Sequence, residues 1–110
     1  MKTDKMILRK FTINDAEEMY ENWASDSRVT KFLTWEPHTS IHQTESIIKQ
    51  WINDDKDVYF AICNTNDENI GCISASLIKE NPKTYAIGYC LSYDYWSQGI
   101  MTESLKLMLK

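Results

Sequence analysis

The order of elements readable in this 110-residue sequence, β-α-α-β-β-β-α, predicts an α/β fold. Three observations carry that reading. Apolar residues recur at helical spacing over 14–24 and again over 40–53. Three strand-like runs then follow one another between 58 and 92 with only short polar breaks. A last helical pattern opens near Gly99.

Taken in order, MILRKF (Met6 to Phe11) alternates and predicts the opening strand. Asn14 followed by Glu17 has the spacing of a capping box. Ala16, Met19, Tyr20, Trp23 and Ala24 then form one helical face. The stretch SDSRVTKFLTWEPH is irregular, with a helical turn around Val29 to Leu33, and Pro37 keeps Glu36 out of helix geometry. Ser40 with Gln43 predicts a second cap, opening a helix to about Asn53 whose inner face is Thr44, Ile47, Ile48, Trp51 and Ile52. Val58–Asn64 and Asn69–Lys79 read as strands of a hairpin, and Thr84–Ser92 as the next strand. The final helix would bury Met101, Leu105, Met108 and Leu109.

A chain of this length accommodates one domain, and its 43% hydrophobic and 12% aromatic content is that of a folded protein, not a disordered one. With a net charge of −4 and no run of basic residues, it has no electrostatic footprint for nucleic acid. No apolar run is long enough for a membrane span. The opening MKTDKMILRK lacks the apolar core of a signal peptide, so the expected location is the cytoplasm.

The three cysteines, Cys63, Cys72 and Cys90, all fall in strand-like runs with no C-x-x-C spacing, and are expected as buried reduced thiols. His38 and His42 stand four apart, but Pro37 precedes them and Thr39-Ser40 lies between. His38 is therefore expected outside the helix, and no metal site is expected.

Gly99 lies between the last strand and the last helix, in YDYWSQGIMTES. A helix N-terminus offers unpaired N–H groups and partial positive charge, and a glycine there admits close approach. By itself this signal fits either a phosphate-holding loop or a turn.

Element order and motif together resemble the GNAT superfamily of acetyl-CoA-dependent N-acetyltransferases, in particular the branch of ribosomal-protein N-terminal acetyltransferases. Ile87, Gly88, Tyr89, Leu91, Tyr95, Trp96, Gly99, Thr102, Glu103 and Leu105 carry the resemblance, with DAEEMYENWASD and FLTWEPH upstream. The resemblance implies a twisted, mixed but mostly antiparallel sheet with helices on both faces. It also implies acetyl-CoA as cosubstrate, lying beside the strand Thr84–Ser92. Leu91 and Ser92 would border the acetyl group, with a backbone N–H between Cys90 and Ser92 polarising its carbonyl. Gln98, Gly99, Ile100, Met101 and Thr102 would cradle the pyrophosphate on their amides.

The sequence departs from the family pattern at three points. Met101 stands where a Gly or Ala is usual. Ala86 stands where many relatives carry a Glu, which leaves Glu36 and His38 as candidates for the base. Residues 1–110 correspond to the N-terminal portion of such a domain, ending at its third helix. The strand Thr84–Ser92 would then form a sheet edge, which predicts a homo-oligomer or a partner chain that completes the sheet. The expected activity is transfer of acetyl from acetyl-CoA to a primary amine. The alternatives are a non-catalytic acetyl-CoA-binding or dimerisation module and a purely structural remnant.

Overall fold

The computed structural model describes residues 2–3, 6–30, 37–54, 57–80, 82–96 and 99–108. Four antiparallel strands form one sheet in the order β1-β2-β3-β4. They are β1 (Ile7–Lys10), β2 (Asp57–Cys63), β3 (Asn69–Glu80) and β4 (Lys83–Leu91). The helices are α1 (Ala16–Met19), α2 (Ser27–Thr30), α3 (Ile41–Ile52) and α4 (Ile100–Met108). The predicted strands lie within one residue of the observed ones, and α2 falls in the stretch read as irregular.

Alternation across the pleat sends side chains into two apolar layers. Ala61, Cys72 and Cys90 stand opposite one another on adjacent strands and face α1 and α3, packing with Met19, Trp23 and Ile48. Leu8, Ile62, Ile73 and Leu91 face the other way and pack with Ile100 at the start of α4. Helices therefore cover both faces, as the sequence predicts. Small side chains in the central row let the helices sit close, and bulky aliphatics fill the other face.

The first helix starts differently from the prediction. Its entry is a 3-10 turn, Ile13–Asp15, and the cap is Thr12 with Asp15, not Asn14 with Glu17. The Asp15 carboxylate accepts the Thr12 backbone N–H at 2.8 Å and also two guanidinium N–H groups of Arg9 on β1. That cation draws Asp15 inward and shifts the cap by two residues. After Met19 the backbone widens into a π turn, Tyr20–Ala24, closed by the Ser25 N–H on the Tyr20 carbonyl at 3.2 Å. Trp23 and Ala24 are then both fully buried, while Tyr20 is half-buried.

α3 begins at the predicted cap: Ser40 Oγ accepts the Gln43 N–H, and Gln43 Oε1 accepts the Thr39 N–H. Thr44 and Ile48 are fully buried, but Ile52 is 51% exposed, because the helix ends there and no element among the described residues covers it. In α4 the buried described residues are Ile100 and Ser104, with Leu107 packed beside them. The side chains of Met101, Leu105, Met108 and Leu109, predicted to face inward, lie outside the described residues.

The β2–β3 hairpin is organised by Asn64, whose side-chain oxygen accepts the N–H groups of Asn66 and Glu68, both at 3.0 Å. Asp67 takes φ 64°, the left-handed conformation that a short polar residue tolerates. The first helix is tied to this hairpin. The Trp23 indole donates to Asn69 Oδ1 at 2.7 Å, and Glu18 accepts the Asn69 N–H at 3.0 Å.

Candidate functional site

The end of β4 and the start of α4 share one apolar layer, through Leu91 and Ile100. β4 pairs only with β3 among the described residues. The Ser92 N–H donates to the Ile70 carbonyl at 2.7 Å, and Leu91 stands opposite Gly71. In an antiparallel ladder, alternate residues turn their N–H and C=O toward the partner. Ser92, Cys90 and Gly88 therefore point at β3, and Leu91, Tyr89 and Ile87 point at the open edge. Within the Cys90–Ser92 stretch that sequence reasoning singled out, the edge-facing N–H is that of Leu91.

The Leu91 carbonyl has the same outward direction and accepts the Trp96 indole N–H at 2.8 Å. Between them runs a 3-10 turn, Tyr93–Tyr95, closed by the Tyr95 N–H on the Ser92 carbonyl. This turn is held from both sides. The Asn64 amide donates to the Tyr95 hydroxyl at 3.2 Å. The Arg28 guanidinium lies 4.1 Å from the centre of the Tyr93 ring, itself 4.7 Å from that of Trp96. Asp26 orients Arg28 through three hydrogen bonds between 2.7 and 3.2 Å, and pushes its pKa upward.

Gly99 follows with φ 77°, in the left-handed region where any Cβ is strained. It turns the chain into α4, whose first N–H groups have no intrahelical acceptor. Ile100 is 3% exposed and anchors this end, while the Ser104 hydroxyl donates back to the Ile100 carbonyl at 2.8 Å. Gly99 and Thr102 are exposed. Leu91 and Ser92 are buried at the close of the strand.

Leu91 and Ser92 thus close the strand, and Gly99, Ile100, Met101 and Thr102 open the helix that follows it. Gln98, Glu36 and the side chain of Met101 lie outside the described residues. His38 is buried elsewhere. Its N–H donates to the Ala24 carbonyl, and its Nδ1 stands 2.7 Å from the Thr44 hydroxyl. Burial lowers its pKa, so the ring is neutral at pH 7. His42, by contrast, is a surface residue beside Glu45. Ala86 is exposed on β4 opposite Ser76.

The three cysteines are free and buried. Burial pushes the Cys63 and Cys90 thiols up to about 12 and the Cys72 thiol well above its ordinary value. None is a thiolate nucleophile at neutral pH.

Sequence reasoning named Trp96 only as part of the motif, without its bond to the Leu91 carbonyl, and gave Arg28 no part in this passage. The adjacent Tyr95 and Trp96 after a strand are a usable signal for an aromatic lock. The contact of Arg28 with Tyr93, 65 positions apart in the chain, leaves none.

Residues 5–110 match the acetyltransferase (GNAT) domain family. The chain is 30% identical over 112 residues to the uncharacterized N-acetyltransferase p20 of Bacillus licheniformis, covering 97% of this chain and 62% of that protein. It is 27% identical to the uncharacterized N-acetyltransferase YoaA of Bacillus subtilis, covering 94% of this chain and 60% of that one. Among solved structures, a GNAT-family acetyltransferase from Bacillus anthracis superposes with a TM-score of 0.82 at 23% identity, over 100% of this chain and 63% of that chain. The microcin C7 self-immunity acetyltransferase MccE, solved with acetyl-CoA and AMP, superposes with a TM-score of 0.79 at 25% identity, over 94% and 59%. The chain thus spans about three-fifths of the length of the curated relatives it matches. With the whole β4–turn–α4 passage inside the matched region, the chain belongs to the acetyltransferase (GNAT) family.

Proposed function

We propose that this chain carries the acetyl-CoA-binding part of an N-acetyltransferase acting on a primary amine. The observation that carries the reading is the left-handed Gly99, which opens α4, whose first residue Ile100 packs in the same apolar layer as Leu91 at the end of β4. Unpaired amides at residues 99–102 suit a pyrophosphate. The outward backbone of Leu91, Tyr89 and Ile87 suits a pantetheine arm that hydrogen-bonds as a strand would.

In this reading the Leu91 N–H donates to the thioester carbonyl oxygen, where negative charge grows during attack. The neutral amine adds its lone pair to the carbonyl carbon. The carbon–sulfur bond then breaks, the amine nitrogen loses a proton and the departing thiolate gains one. Glu36 and His38 remain the candidate bases. For His38, the depressed pKa favours the proton-accepting form, but its buried position against Thr44 also suits a structural part.

The finer assignment, to the ribosomal-protein N-terminal acetyltransferase branch, rests on Tyr95, Trp96, Gly99, Thr102 and Glu103. We read the described chain as the N-terminal portion of one domain. A cytoplasmic location is supported by three buried free thiols. Association with a second copy or another chain is supported by the open β4 edge and by Tyr85, Ile87 and Tyr89, which are 51%, 38% and 54% exposed. The same surface, with Ala86 in place of a carboxylate, favours the second reading, a non-catalytic acetyl-CoA-binding or dimerisation module.

Calorimetric titration of acetyl-CoA into the full chain tests the first reading. Saturable binding that disappears in Gly99→Trp, with the variant shown to be folded, supports the cradle. No binding by the folded wild-type chain overturns it. Release of free thiol in the presence of amines separates the enzyme from the module.

A further inference from the structure

We propose that Arg28 is a positioning residue for acetyl-CoA binding: braced by Asp26, it fixes the Tyr93 ring and, through it, the Trp96 indole bound to the end of β4. The inference rests on the reading that acetyl-CoA lies along β4. α2 is a single turn, too short to hold itself, and its place comes from the core. Val29 is 5% exposed and packs in the apolar layer that contains Trp23 and Cys90. Asp26 joins α2 to the π turn: its N–H donates to the Trp23 carbonyl and its carbonyl accepts the Val29 N–H, both at 3.1 Å. Its carboxylate accepts the Arg28 backbone N–H at 2.9 Å and the Arg28 Nε and Nη2 groups at 2.7 to 3.2 Å. The fork fixes the plane of the guanidinium, which a lysine ammonium does not offer. The same bonds hold the Asp26 carboxyl below its ordinary pKa, so the brace stays charged.

The braced guanidinium stands 4.1 Å over the centre of the Tyr93 ring, and that ring tilts at 52° against Trp96, 4.7 Å away. The Trp96 indole N–H donates to the Leu91 carbonyl at 2.8 Å. Tyr93 and Trp96 are 43% and 37% exposed, so burial alone does not hold their side chains. Contact with a cation fixed from α2 restricts Tyr93, and Tyr93 limits Trp96 in turn. The Arg28 side chain itself is 57% exposed. An exposed pair of this kind adds little to global stability. Its effect is local, on the turn next to the Leu91 N–H.

The test measures acetyl-CoA affinity by calorimetry and hydrogen exchange of the Trp96 indole N–H by NMR, both on the full chain, with the indole signal assigned by Trp96→Phe. In Arg28→Ala, affinity should fall about two- to fivefold and indole exchange should quicken by a similar factor, with core amides unchanged. Asp26→Asn keeps a capping side chain but loses the charged brace, and should weaken binding too. It makes the chain less negative, so simple attraction of an anionic ligand predicts the opposite sign. In a Tyr93→Ala background, Arg28→Ala should change neither quantity further.

Unchanged affinity or unchanged indole exchange in Arg28→Ala, with the wild-type chain binding acetyl-CoA, overturns the proposal. So does tighter binding in Asp26→Asn, or a loss that persists in the Tyr93→Ala background, since either traces to charge and not to position. Exchange that quickens throughout the core overturns it as well, because it marks a merely structural part. If the wild-type chain does not bind acetyl-CoA, the functional reading itself fails, and the role of Arg28 at that site falls with it.

Discussion

The Trp96 indole N–H reaches back five residues to the Leu91 carbonyl at 2.8 Å, on the side of β4 that no other described strand occupies. This bond closes the turn Tyr93–Tyr95 back onto the end of the strand. It also occupies the acceptor next to the one edge-facing N–H at the strand's end.

Trp96→Phe keeps the ring against Tyr93 but removes the donor. A single neutral hydrogen bond is worth about 0.5–1.5 kcal/mol, so acetyl-CoA affinity should fall roughly three- to tenfold. Urea unfolding should shift by no more than about 1 kcal/mol, since the bond lies near the surface. Calorimetry and urea titration on the same protein separate the two effects.

Gly99→Ala places a Cβ at φ 77°. The left-handed conformation costs a non-glycine residue about 1 kcal/mol. The expected outcome is that loss in urea unfolding, with weaker acetyl-CoA binding by calorimetry if the turn relaxes away from its native angle.

Gly71 has a harder constraint. A Cβ there would lie 2.4 Å from the Cys90 carbonyl oxygen, which is backbone, and a Cβ fixed to Cα cannot rotate away from it. Gly71→Ala must push β4 from β3 or break their register, at a cost of about 3 kcal/mol. Chemical denaturation gives the size. Because Cys90 adjoins Leu91, a folded variant should also bind acetyl-CoA less well.

Arg9 and Asp15 pair through two bonds of 2.9 and 2.8 Å, with the Asp15 side chain 2% and Arg9 26% exposed. Asp15→Ala removes this pair and the bond that caps the Thr12 N–H. Discounted for the solvent around Arg9, the cost should be about 2–3 kcal/mol. The double variant Arg9→Met with Asp15→Leu should lose less than the sum of the single changes, because no buried charge is then left unpartnered. Urea midpoints of the four proteins form the test.

His38 makes stability depend on pH. Burial lowers its folded pKa below the ordinary 6.5, so the unfolded chain binds a proton first as pH falls. Stability contributed by the neutral ring is complete above about pH 6.5 and is lost as pH drops through the folded value. His38→Gln, which can still meet the Thr44 hydroxyl, should give a flatter stability profile between pH 7 and 5. A profile parallel to wild type would show that His38 titrates as an exposed imidazole.

Much of the fold is written in local pattern. The strand-like runs Val58–Asn64, Asn69–Lys79 and Thr84–Ser92, separated by short polar breaks, mark three strands to within a residue. Ser40 with Gln43 marks the start of α3, because a cap and its partner lie within one turn. Gly99 before a helical pattern marks the passage that carries the functional reading, because only glycine accepts that φ without strain. Other features were decided by residues far apart in the chain. The cap of the first helix moved to Thr12 and Asp15 because Arg9 comes across from β1. Ile52 stayed half exposed because no described element packs over the end of α3. The direction of the Leu91 N–H followed from which residues pair with β3, and the turn after it was fixed by Arg28 and Asn64 from other elements. Periodicity reports which face of an element is buried. It carries no record of which distant donor, cation or ring will arrive there, since those contacts exist only once the sheet has assembled.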